Sequence, residues 1–123
     1  IRLSLVGSEM CIRDRVYTKV LKACVGFSVY GTKTVEAETK ELLPLLNEFY
    51  EQFLRENLFE IDKKDYEKLQ LLFINIIRDF SQGLKNKDVV LLEDAMEYGL
   101  LPFLEIFMDE DEVSRLKEES VNE

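Results

Sequence analysis

The chain has 123 residues, with 16 lysines and arginines against 25 aspartates and glutamates, no histidine, and a formal net charge of −9. Without histidine, these residues exclude a Ser-His-Asp triad, a Cys-His pair and an ordinary zinc site. The acidic balance repels phosphate backbones, and no apolar run approaches the roughly 20 residues that span a bilayer. We therefore expect no nucleic-acid partner, no membrane partner and no cofactor.

The first fifteen residues have no sustained helical or strand periodicity. Within them, LVGSEMCIRDR resembles the in-frame translation of an oligonucleotide adapter used for sequencing libraries, and the resemblance extends back to Ile1. It implies that residues 1–15 are a non-biological segment, that they pack poorly on the rest, and that the natural N-terminus is missing. Cys24 is the one cysteine outside this segment, which suits a reducing, cytoplasmic location.

The remaining sequence predicts an all-α domain over residues 16–108, built from about four antiparallel helices. The first helix covers about 16–30 and ends at Gly31, a residue type that adopts the left-handed conformation at little cost. Thr34 is the expected N-cap of the second helix. Its apolar positions follow helical spacing: they are Leu42, Leu45, Leu46, Phe49 and Phe53.

The third predicted helix has the most regular apolar stripe in the chain and begins after Asp62, its expected N-cap. The stripe consists of Tyr66, Leu69, Phe73, Ile76, Ile77, Phe80 and Leu84. A fourth helix is predicted from about Asp88 to Met108. Residues 109–123 are highly charged, and we expect them to form a disordered acidic tail.

The two prolines occupy the same position in two similar phrases, LLPLLNEFYE (42–51) and LLPFLEIFMD (100–109). This shared register raises the hypothesis of a duplicated helical hairpin with pseudo-two-fold symmetry. Each proline lacks the amide that would bond to the carbonyl four residues earlier, so both helices are expected to kink or restart there.

Two groups of residues are candidates for function. Glu93, Asp94 and Glu97 lie within two helical turns and could bind a cation, although amphipathic spacing favours a solvated face. A second apolar stripe consists of Leu43, Tyr50, Leu54, Leu101 and Met108. It could be a partner surface or the edge of a wide core-facing arc. Cys24 lies on an apolar stripe, and we expect it to be a buried apolar residue rather than a nucleophile.

The phrase DVVLLEDAMEYGLLPFLE (88–105) resembles a family of small, all-helical bacterial proteins of unknown function, with a more diffuse likeness over 34–108. The resemblance implies a bacterial origin and a helical fold, and it transfers no activity. Two hypotheses follow from the sequence. The first is a non-enzymatic cytoplasmic interaction or assembly module that binds a protein partner or itself. The alternative is an enzyme or metal-carboxylate protein that uses Glu93, Asp94 and Glu97.

Overall fold

The computed structural model describes residues 12–31, 33–55 and 60–121, and these form an all-α structure, as predicted. The helices are α1 (Ile12–Tyr30), α2 (Val35–Phe49), α3 (Lys63–Asn86), α4 (Val89–Asp94), α5 (Leu101–Glu105) and α6 (Glu110–Val121). A π-helical turn, Tyr50–Leu54, extends α2, and a second one, Ala95–Leu100, joins α4 to α5. The described part of the chain therefore has the four predicted helical bodies and a fifth, α6. None of its helices is both long and apolar enough to cross a membrane.

The helix ends follow the predicted capping residues with one exception. Gly31 has φ +82° and its amide donates to the carbonyl of Phe27 at 3.0 Å. Asp62 accepts a bond from the amide of Lys64, and Asp88 caps α4 in the same way. Thr34 occupies the N-cap position of α2, but its side chain makes no capping bond. Side-chain capping is therefore carried by the aspartates.

The core is centred on the ring of Phe49, at the end of α2. Its centroid lies 5.0 Å from that of Phe53, 5.8 Å from Phe107, and 6.2 Å from both Phe73 and Phe103. These rings come from α2 and its π-helical turn, α3, and α5 with the residues that follow it. Because Phe49 contacts rings from several helices, truncating it would open a cavity where the bundle converges.

The two proline phrases repeat their burial but not their backbone geometry. The residues that match and are buried in both phrases are Leu42 and Leu100, Leu46 and Leu104, and Phe49 and Phe107. The backbone of α2 stays α-helical through Pro44, whereas Pro102 lies at the start of α5, directly after a π-helical turn. The other π-helical turn begins six residues after Pro44. The two π-helical turns lie on opposite sides of their prolines, so the backbones of the two hairpins are not equivalent. The restart expected at a proline is found at Pro102, whereas α2 continues through Pro44.

The prediction that residues 1–15 pack poorly is wrong for Ile12 and Arg13, in the first turn of α1. Ile12 and Arg13 retain only 3% and 2% of their accessible surface. Ile12 lies one turn before buried Val16, so it extends the apolar stripe of α1 into the core. The guanidinium of Arg13 donates to the carbonyl of Phe107 at 2.8 Å and bonds to Glu112. Residues 1–11 lie outside the described part of the chain.

The acidic tail differs from the predicted disorder, because residues 110–121 form α6. Asp109 and Glu112 cap this helix reciprocally. The amide of Glu112 donates to Asp109 at 2.8 Å, and the amide of Asp109 donates to Glu112 at 3.4 Å. Leu116 is 1% exposed, and α6 packs on α1. The charge run that suggested disorder is therefore the first turn of a docked helix, where carboxylates favour the helix dipole.

Candidate functional site

The predicted partner surface is largely core. Leu54, Leu101 and Met108 are buried, with 1%, 9% and 8% of their surface exposed. Leu43 and Tyr50 are half-buried against the core, and the Tyr50 ring stacks on Phe73 at 5.8 Å. Of the two interpretations of this stripe, the structure agrees with the edge of a wide core-facing arc and not with a free partner surface. Helix α2 contacts α1, α3 and α4, so its apolar arc is wide because it has several neighbours.

The predicted acidic cluster lies on α4 and the π-helical turn that follows it. Glu93 is half-buried, whereas Asp94 and Glu97 are exposed. No three acidic or cysteine side chains in the described ranges are placed to hold a metal ion. The arrangement therefore leaves these carboxylates without the converging oxygen atoms that a divalent cation requires.

Cys24 lies on α1 and is only half-buried, so it is more accessible than the sequence suggested. Burial raises the pKa of its thiol to about 11, and the negative charges of Glu97 and Glu93 add to the shift. A raised pKa keeps the thiol protonated at neutral pH, and the protonated thiol is a poor nucleophile. The environment of Cys24 thus opposes nucleophilic chemistry.

A groove of about 620 Å³ runs between α1 and the beginning of α2, and sequence reasoning did not predict it. It is lined by the cations Arg15, Lys19 and Lys22, together with Glu38. The ammonium of Lys19 lies 2.7 Å from Glu41 and 3.3 Å from Glu38. Burial opposes the charged form of Lys19, but the two carboxylates outweigh it and raise its pKa. The positive charge of Lys19 is therefore already balanced within the protein.

A second cation of this groove also forms an ion pair. Arg15 pairs with Glu48 at 2.7 Å, on the exposed surface. The groove does contain one unsatisfied polar atom, since the buried hydroxyl oxygen of Thr18 has no hydrogen-bond partner among the described residues. One hydroxyl beside two ion-paired cations, Arg15 and Lys19, does not define a ligand. We therefore describe the groove as a polar contact region between α1 and α2.

The side of α3 that faces away from the core carries exposed apolar residues. Leu71 retains 59% of its accessible surface and Ile74 retains 48%. They lie three residues apart and are therefore neighbours on one helix face. Glu67 and Arg78, four residues before and after them, are also exposed. We call Glu67, Leu71, Ile74 and Arg78 the outer face of α3.

The inner face of the same helix carries the buried residues Phe73, Ile76 and Phe80. At 100° per residue, Leu71 lies almost opposite this core-facing stripe. Leu72, with 47% of its surface exposed, lies on a flank of the helix. The outer face of α3 can be recognised in the sequence, because successive members of the set are separated by four, three and four residues. The set is Glu67, Leu71, Ile74 and Arg78. It was missed because the inner stripe dominates the same helix.

The geometry defines an all-α domain whose clearest candidate site is a surface and not a cavity with reactive groups. Comparison of the chain with protein-family models, curated proteins and solved structures finds no match.

Proposed function

We propose that this chain is a non-enzymatic helical module of the bacterial cytoplasm that works by binding another protein chain through the outer face of α3. The observation that carries the proposal is the exposure of Leu71 and Ile74 as neighbours in the middle of α3. Exposed apolar residues that are neighbours on one helix face are candidates for a contact surface. Helix α1 carries another such pair, Val25 and Val29, which has smaller side chains.

The free energy gained by burying these side chains is consistent with a protein–protein contact. Burying the exposed halves of Leu71 and Ile74 would contribute roughly 1 kcal/mol each, at about 25 cal/mol per Å² of apolar surface. Neither side chain is needed for the core, which lies on the opposite side of α3. The cytoplasmic location rests on Cys24, which has no second cysteine beyond residue 15 with which to form a disulfide.

The test compares two double variants of the full chain. Leu71→Ser with Ile74→Ser removes the apolar centre of the outer face of α3. Val90→Ser with Ile106→Ser removes two residues of similar exposure, 64% and 53%, from α4 and from the turn after α5. Both variants should keep the parent's helix content, because substitutions at exposed sites usually change stability by only about 0.5 kcal/mol.

Each variant is then used for quantitative affinity capture from an extract of the source cells, and self-association is measured separately by sedimentation. The proposal expects the outer-face variant to lose a contact, with itself or with another protein, that the control variant keeps. If the two variants behave like the parent in both measurements, the outer face of α3 is not a binding surface and the proposal fails.

A further inference from the structure

The outer face of α3 has a symmetry that identifies a partner. The point between residues 72 and 73 is midway between Leu71 and Ile74 along the helix, and it is also midway between Glu67 and Arg78. A two-fold axis through that midpoint, perpendicular to the helix, exchanges Leu71 with Ile74 and Glu67 with Arg78. We propose that this face binds the same face of a second copy of the chain, with the two α3 helices antiparallel. This inference rests on the proposed function and names its partner.

The apolar centre fits such a pair. Leu71 and Ile74 have the spacing of two neighbouring core positions in a heptad, and apolar residues at such positions pack against those of a second helix. Glu67 and Arg78 occupy the next positions on either side. In the antiparallel arrangement Leu71 of each copy packs against Ile74 of the other. In a single copy, Leu71 and Ile74 expose 59% and 48% of their accessible surface. In the pair, each copy covers these two residues of the other.

The charges determine the orientation. In the antiparallel pair Glu67 of each copy lies opposite Arg78 of the other, so two ion pairs form and flank the apolar centre. In a parallel pair Glu67 would face Glu67, and Arg78 would face Arg78, which places like charges opposite one another. The ion pairs described for this part of the chain do not involve Glu67 or Arg78, so dimerisation would not have to break one of them.

The dimensions predict a weak dimer. The α-helical rise of 1.5 Å per residue places the Cα atoms of Glu67 and Arg78 about 16 Å apart. A contact of that length is short, so association should depend on concentration and should weaken as salt screens the two ion pairs.

The test is a charge exchange in the full chain, measured by sedimentation equilibrium at low ionic strength. Glu67→Arg alone places two arginines opposite each other at both ends of the contact, and Arg78→Glu alone does the same with two glutamates. Each variant should raise the dissociation constant by about tenfold or more. The double variant, Glu67→Arg with Arg78→Glu, should regain the parent's affinity. Glu118→Lys, a charge reversal at an exposed position of α6, is the matched control and should leave the affinity unchanged.

An equimolar mixture of the two single variants gives the most specific result. A heterodimer of Glu67→Arg with Arg78→Glu has an opposite charge at every contact, so the mixture should dimerise more tightly than either variant alone. A parent chain that stays at 14.5 kDa at every concentration would overturn the inference. So would single variants without effect, or a mixture that does not recover. If the chain stays monomeric while Leu71→Ser with Ile74→Ser loses a captured protein, the self-association fails and the proposed function stands.

Discussion

Gly83→Ala should destabilise the protein, although replacing glycine by alanine inside a helix ordinarily stabilises it by up to about 1 kcal/mol. Gly83 lies buried near the end of α3. A Cβ atom at this position would lie 2.6 Å from Cδ2 and 2.8 Å from Cγ of Leu92. Leu92 is completely buried, so its side chain cannot move into solvent. Overpacking of this kind costs about 1–3 kcal/mol, and we expect a net loss of about 1–2 kcal/mol.

Gly26→Ala is the matched control, because a Cβ atom there meets nothing within 4 Å in the interior of α1. This variant should be stabilised by up to about 1 kcal/mol. For a domain of this size, 1 kcal/mol shifts Tm by about 4 °C. Thermal unfolding followed by circular dichroism should therefore show a lower Tm for Gly83→Ala, by about 4–8 °C, and a slightly higher one for Gly26→Ala. Equal increases in both would refute the packing of α3 against α4 described above.

Three further predictions concern single side chains. Arg13→Ala removes a charge-assisted bond from the buried carbonyl of Phe107, which should cost about 2 kcal/mol and lower Tm by about 8 °C; an unchanged Tm would contradict the packing of the first turn of α1. Asp88→Ala removes the N-cap bond of α4 and should cost about 1 kcal/mol, measured by urea unfolding. The raised pKa of Cys24 predicts that, with Cys11 replaced by serine, the folded protein at pH 9 reacts with iodoacetamide about fiftyfold more slowly than the urea-unfolded protein. The same shift predicts a contribution to stability that is present below pH 9 and is lost between about pH 9 and 11.

The parts of the fold that could be predicted are those that depend on local chemistry. The stripe of α3 was identified because Phe73, Ile76 and Phe80 follow one helical period without interruption. The cap at Asp62 was identifiable because an aspartate just before an apolar-periodic run satisfies free backbone amides. Asp88, predicted as the approximate start of the fourth helix, caps α4 for the same reason. These signals involve residues within one or two turns of each other, so no tertiary information is needed to recognise them.

The largest differences from the predictions concern which helix faces have neighbours. A helical wheel shows that Leu54 and Leu101 lie on an apolar arc, but it does not show how many helices cover that arc. In the structure α2 has three helical neighbours, and the arc is therefore core. Helix α6 was not predicted for the same reason, because the sequence does not show which helices it contacts. Its composition is charged, and its docking depends on Leu116 meeting a surface formed by helices distant in the sequence.

For the first turn of α1, the origin of the sequence and its packing are two separate questions. The resemblance of residues 1–15 to a translated adapter concerns the codons. Packing depends on the periodicity of the side chains, and a sequence of any origin can have a helical periodicity. Once α1 has formed, each added residue extends it at little cost. Ile12 then falls four residues before Val16, and the charge of Arg13 finds the Phe107 carbonyl and Glu112 within reach. The packing of this turn is therefore explained by register and partners alone, and it argues neither for nor against the adapter origin.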